Sequence, residues 1–227
     1  MRIDLHNHTV HGSIDAVNDP DRLIEIARGR GLDGICLTEH GKTKTPLAAE
    51  LARRHGFPVF GGMEVSCELG DLLVFGVDEV PKRLITARAI SAYVRAEGGV
   101  VVAAHPYRWD LSPKPWIGPR DPHLTIEKAL AAPLLGLVDA LEAVNGWATQ
   151  ADVDFTREVC ARSGLPPTGG SDAHGPHEAG RCWTIFEDDG IRTEADLVRA
   201  IRARRFGAED QRPLEDRGPV KYYNREF

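Results

Sequence analysis

MRIDLHNHT, residues 1–9, decides the fold. The stretch reads as a short strand, Arg2 to His6, ending in a histidine that is repeated two positions on, at His8. In an extended segment residues two apart point the same way, so both imidazoles can grip one ion. Alone the pattern is weak, since a polar strand end produces it equally well. Its weight comes from what recurs downstream.

Outward from this stretch, short apolar runs alternate with longer amphipathic ones. The candidate strands are Arg2 to His6, Gly34 to Glu39, Pro58 to Val65, Leu72 to Val77, Gly99 to Ala104, Leu137 to Val144 and Pro166 to Gly170. Most are too apolar to alternate, as expected where both faces of a sheet are covered. Asp19 and Pro20 open one helix, and Thr193 with Asp196 opens another. Further helices are expected over 46–56, 84–97, 124–131 and 149–163, with a proline-rich loop from Ser112 to Pro122. Strand and helix units in this order define an α/β protein built on a parallel sheet.

Histidines and acids fall at the strand ends. His6 and His8 close the first strand, Glu39 and His40 the second, and Glu64 the third; His105 follows GVVVAA, and Asp172 and His174 follow the last strand. In a parallel barrel those ends meet on one face. Imidazole nitrogen and carboxylate oxygen are ligands for zinc, manganese and iron. Singly, each group has a plainer account: Glu64 as a salt-bridge partner, His105 as a packed residue before Pro106, GGSDAH as an Asx-turn. Their conjunction on one barrel face is what favours a metal centre.

Composition narrows the function classes. The 227 residues, 42% of them apolar, are expected to form one domain over 1–227, with 209–227 as a tail. A net charge of −6 without basic runs offers no footprint for nucleic acid, except as a short oligonucleotide substrate. Cys36, Cys67, Cys160 and Cys182 form no CxxC pair, which argues against a zinc knuckle or disulfide framework and for a reducing compartment. No basic-then-apolar leader opens the sequence and no apolar run nears the roughly 20 residues a membrane span needs, so a cytoplasmic protein without a membrane partner is expected. Nothing specifies an oligomeric state.

DLHNHT at 4–9, LTEHG at 37–41, GGMEVS at 61–66, AAHP at 103–106 and GGSDAHGP at 169–176 resemble, in order, the motifs of the polymerase and histidinol phosphatase (PHP) superfamily, as does AGRCWTIF at 179–186. The resemblance implies a distorted (β/α)7 barrel with two or three divalent ions (Zn, Mn or Fe) at the strand ends. It assigns His6, His8, Glu64 and Asp172 to one ion, with Glu64 bridging to a second held by His105. Asp15, His40 and His174 fall to a third, and His123 is a candidate to complete the second site. Two departures stand out. HTVHGSIDA is one residue longer than the family's loop, which leaves His11 as a competitor to Asp15, and Asp71 stands where many relatives carry a histidine. An inserted specificity subdomain is absent, which turns attention to Lys42, Arg108, Trp109, Trp116 and Arg120 in short loops.

The implied activity is hydrolysis of a small phosphomonoester or nucleotide by a hydroxide bridging two ions. Glu64, Asp172 and His174 are its candidate catalytic groups, with His174 or Glu39 assisting the leaving group. Arg181, Lys42 and Arg108 are candidate phosphate anchors. Two rivals are amidohydrolase-type attack at carbon and a non-catalytic metal-binding PHP module.

Overall fold

A computed structural model describes residues 1–43, 45–107 and 124–218. Its strands are β1 (Arg2–Asp4), β2 (Gly34–His40), β3 (Val59–Cys67), β4 (Gly70–Phe75), β5 (Val100–Ala104), β6 (Ala140–Asn145), β7 (Pro167–Gly170), β8 (Cys182–Phe186) and β9 (Phe206–Asp210). The helices are α1 (Pro20–Gly29), α2 (Thr45–His55), α3 (Ala87–Ala96), α4 (Ile126–Leu130), α5 (Gln150–Ser163) and α6 (Glu194–Ala203). The strands form one sheet in the order β7-β6-β5-β4-β3-β2-β1-β8-β9. Its ends approach each other: the Gly169 N–H donates to Thr184 Oγ1 at 2.9 Å, and that hydroxyl donates back to the Gly169 carbonyl at 3.1 Å. The result is a nearly closed barrel.

The barrel is mixed, where the sequence suggests a parallel one. β1, β2 and β3 are parallel, as are β5, β6 and β7, but β4 runs against both its neighbours and β8 against β1 and β9. Only Glu68 and Leu69 separate β3 from β4, too few for the dozen or more residues a parallel crossover needs, so the chain turns straight back. β8 and β9 are absent from the sequence expectations. β9, FGAED, is half-exposed along its length and lacks an apolar signal. Because β9 takes in Glu209 and Asp210, and Arg212 beyond it is buried, residues 209–212 belong to the barrel wall and not to a tail.

Helix ends follow local chemistry. The Asp19 carboxylate caps α1 ahead of Pro20, and reciprocal capping boxes join Thr149 to Asp152 and Thr193 to Asp196. Inside the sheet, Phe60, Leu73, Phe75, Val100, Val102 and Ala140 form one buried cluster with Leu197 and Ile201 of α6, which plugs the end where β5 begins. Outside it, Leu72, Val74, Val101 and Ala103 pack under Ile90 and Val94 of α3. Ile35 and Leu37 lie beneath Leu23, Ile24 and Leu51 of α1 and α2. One end of the barrel is thus filled with apolar side chains, and the polar groups gather at the other. Among the described residues no helix is long and apolar enough to cross a membrane.

Candidate metal centre

β1 ends at Asp4, so the two N-terminal histidines lie just beyond the strand and not within it. The segment leaves the ladder because the buried Asp4 carboxylate captures backbone N–H groups from three loops: His6 at 3.2 Å, Ser171 at 2.8 Å and Gly180 at 3.2 Å. Burial raises the Asp4 pKa to about 6 in spite of those bonds. Beyond the strand the Asn7 carbonyl still accepts from the Thr38 N–H at 2.9 Å, and Asn7 forms an isolated bridge to Ala173, which sets the N-terminal histidines against Asp172 from the far end of the chain.

There the ligand atoms converge. His6 Nε2 lies 3.1 Å from His8 Nε2, 3.5 Å from Glu64 Oε2 and 3.4 Å from Asp172 Oδ1. His8 Nε2 lies 3.3 Å from each of those two oxygens. Four ligands about 2.0–2.1 Å from a tetrahedral ion stand roughly 3.3 Å from one another, a spacing that these separations match. Glu64 turns its other oxygen, Oε1, to His105 Nε2 at 3.1 Å, and Asp172 Oδ2 is 3.8 Å from the same nitrogen. His40 Nδ1 lies 3.2 Å from Glu64 Oε2, while its Nε2 faces Asp15 Oδ1 at 3.4 Å; Asp15 Oδ2 faces His174 Nε2 at 3.5 Å. Three groups each have ligand atoms within 4.8 Å of one another: His6, His8 and Asp172; His6, Glu64 and His105; and His8, His40 and His174.

Charge supports the same reading. Glu64 and Glu142 are buried, and the ion pairs that reach them among the described residues are all with imidazoles. Burial works against a charged His6, yet Asp172, Glu142 and Glu64 together hold its pKa well above the ordinary value. His8 is likewise held up, at about 9 despite its burial, chiefly by hydrogen bonds to Asp172 and Glu64. The hydrogen bond to Glu64 raises His40. Glu64 itself is driven well below the carboxylate range, because His6, His105 and His40 outweigh its desolvation. A buried site that draws positive charge this strongly suits a divalent cation. Burial lowers His174, whose neutral ring is the form a metal accepts.

The other candidates occupy varied positions. Asp15 reaches other ligands, whereas His11 is exposed. Asp71 sits on β4 opposite Ser66 and Ala104 and belongs to none of the three ligand groups. The Arg181 guanidinium pairs with Asp216 at 3.2 Å. Lys42 is exposed just past His40. Glu39 is buried and accepts from the Thr9 N–H and hydroxyl and from the Ser13 hydroxyl at 2.6 Å, which makes it a brace for the β1 to α1 loop. Ser13 in turn meets His8 Nδ1 at 3.0 Å. Arg108, Trp109, Trp116, Arg120 and His123 lie outside the described residues.

Sequence reading missed Glu142, Asn145 and Trp147. The Asn145 amide donates to Glu142 at 3.0 Å and to Asp172 Oδ2 at 3.4 Å, and the Trp147 indole N–H donates to the Asp172 carbonyl at 2.9 Å. An acid within the apolar run LEAV was the available signal.

Fold and site together define the class: a mixed barrel of the PHP type with histidine and carboxylate clusters fit for several divalent ions. Residues 154–206 match the PHP-associated family PHP_C. Over 66 residues, 29% of this chain, the sequence is 36% identical to the PolC-type DNA polymerase III of Oceanobacillus iheyensis, of which it spans 5%. A two-domain protein from Bacteroides vulgatus containing a predicted PHP-like metal-dependent phosphoesterase shares the fold, with a TM-score of 0.65, 18% identity and coverage of 92% of this chain and 64% of that one. An amidohydrolase from Chromobacterium violaceum with bound sulfate shares it equally, with a TM-score of 0.65, 19% identity and coverage of 95% and 100%. Residues 154–206 carry this family likeness in sequence, and the barrel as a whole shares the PHP-like fold.

Proposed function

We propose that this chain is a metal-dependent phosphoesterase acting on small phosphomonoesters or nucleotides. The observation that carries the reading is Glu64, whose two oxygens face separate imidazole sets and are placed to join two ions. His6, His8, Glu64 and Asp172 would hold one ion, His105 with Glu64 a second, and Asp15, His40 and His174 a third. Ions bound there polarise phosphoryl oxygens and bring the pKa of water towards neutrality.

The chain's own residues set the direction of approach. His6, His8 and Glu64 are nearly sealed from solvent, whereas the His40 and Asp15 side chains are 43% and 55% exposed, so a substrate enters over that pair. Lys42 stands beside this mouth as the candidate phosphate anchor. His174 Nδ1 donates to the Asp172 carbonyl at 3.0 Å, which leaves Nε2 as its ligand atom. We therefore read His174 as a ligand in preference to a proton donor for the leaving group.

The test is release of orthophosphate from a panel of phosphate esters, p-nitrophenyl phosphate included, by protein loaded with manganese or zinc. Chelation should abolish turnover and added metal restore it, with two or three ions per chain by elemental analysis. Turnover confined to a lactone or amide would transfer the chain to the amidohydrolase type, and less than one ion per chain would favour a non-catalytic module.

A further inference from the structure

Glu142, on β6, is a fully buried carboxylate outside every proposed ligand set, and both its oxygens are engaged. Oε1 lies 3.0 Å from His6 Nδ1. Oε2 accepts from the His105 N–H at 2.9 Å and from the Asn145 amide at 3.0 Å. His6 belongs to the first ion's shell and His105 to the second's, so one side chain touches both. Gly170 makes room for it: a Cβ there would lie 2.5 Å from Glu142 Oε1 and 2.4 Å from His6 Cβ.

We propose that Glu142 is the positioning residue that fixes His6 as an Nε2 ligand and ties its placement to that of His105, so that the two ion sites are set by one carboxylate. The inference rests on the reading of the cluster as a metal centre. A carboxylate facing Nδ1 selects the tautomer with hydrogen on Nδ1, which leaves the Nε2 lone pair for a metal. The His105 N–H and the Asn145 amide are both donors, so Oε2 must also accept.

A glutamine cannot serve both sides, because its amide offers one acceptor and one donor group. If the oxygen faces His6, the NH2 meets two donors. If the NH2 faces His6, the ring must carry its hydrogen on Nε2, where it blocks coordination. E142Q therefore disturbs the centre in either orientation while nearly conserving volume.

The experiment uses the full chain. In competition with a chromophoric zinc chelator, E142Q should bind its tightest zinc about 10- to 100-fold more weakly than wild type, the usual size of such outer-shell losses, with an unchanged far-ultraviolet circular dichroism spectrum. Should that variant fail to fold, nitrogen NMR of histidine-labelled, zinc-loaded wild type still decides: His6 must show a protonated Nδ1 and a ligated Nε2. Affinity within twofold of wild type in folded E142Q, or His6 ligated through Nδ1, overturns the inference and leaves the metal-centre reading intact. Wild type that takes up no zinc, manganese or iron removes both.

Discussion

Replacing Gly170 with alanine adds one methyl group at the tightest point of the site. The new carbon would stand 2.4 Å from His6 Cβ, 2.5 Å from Glu142 Oε1 and 3.0 Å from the His6 backbone nitrogen. Carbon atoms in contact rest about 3.5–4.0 Å apart, so His6 must retreat by about 1 Å or β7 must give way by as much. Neither is easy: the His6 carbonyl accepts from the Asp172 N–H at 2.7 Å, and its ring is held by Glu142 at 3.0 Å. Overpacking of this kind costs about 1–3 kcal/mol, or roughly 2–12 °C in melting temperature for a chain of this size. Misplacing a reacting constellation by 1 Å costs about 100-fold in rate.

The expected result is therefore a folded protein with phosphate release down about 100-fold and weakened metal retention. Gly29→Ala is the matched control, since a Cβ at the end of α1 meets nothing within 4 Å. It should leave activity unchanged and add up to about 1 kcal/mol of stability by restricting the unfolded chain. Thermal melts, chelator competition and steady-state kinetics on the two variants measure all three quantities. G170A with wild-type kinetics and wild-type metal affinity would refute the packing argument.

Four further outcomes follow from the structure. His8→Ala, which removes one corner of the innermost shell, should abolish turnover and lower the metal content while circular dichroism stays native; full activity would contradict its assignment. Metal uptake should strengthen with pH, because the metal-free His8, with its pKa raised from 6.5 to about 9, holds a proton that the ion must displace; calorimetry in buffers of different ionisation enthalpy would read the protons released. The same shift gives the metal-free protein a stabilising contribution that is complete below pH 6.5 and lost as the pH rises through about 9, which urea titrations across that window would detect as falling midpoints. Arg212→Ala removes the buried guanidinium that pairs with Asp210 at 2.7 Å and donates to the carbonyls of Gly146 at 2.9 Å and Ala148 at 2.6 Å. Because Arg217 remains 3.4 Å from Asp210, the loss should fall near the lower end of the range for broken buried pairs, about 3 kcal/mol by denaturant unfolding.

Much of this architecture was legible because its signals are local. Apolar runs such as GVVVAA mark strands covered on both faces, and Thr193 with Asp196 marks a helix start without reference to anything distant. What escaped notice depends on partners far away in sequence. β9 carries FGAED, whose strand character comes from pairing with β8 and not from its own side chains. Arg212 sits in a charged stretch that reads as solvated, yet it is 2% exposed because Asp210 and the loop after β6 receive it. At the site, residues carrying a ligand atom were conspicuous by type, and Asp15 was separable from His11 only through its distances to His40 and His174. Glu142 illustrates the remaining gap. Its value lies in facing His6 across 136 positions of sequence, a pairing that the closing of the barrel creates.

The backbone shows how that closing is used. Among the described residues, three other than glycine have positive φ: Arg204 at 58°, Asp172 at 51° and His105 at 32°. Arg204 ends α6 in the left-handed cap that helices commonly adopt. The other two have no helix to finish; each follows a strand and carries a side chain into the cluster. Such conformations cost about 1–3 kcal/mol and persist where surrounding contacts over-determine them. Both residues have those contacts: the His105 N–H is held by Glu142 at 2.9 Å, and the Asp172 backbone by the His6 carbonyl at 2.7 Å and the Trp147 indole at 2.9 Å. An ordinary strand continuation would carry these side chains along the barrel rim, whereas a left-handed residue turns the chain abruptly and points them at the axis. The groups that hold the turn are drawn from β6, its following loop and the first motif, which are the elements that also orient the ligands. Backbone strain and ligand placement are therefore one feature of the barrel mouth: loosening either residue's turn should loosen the ion it faces.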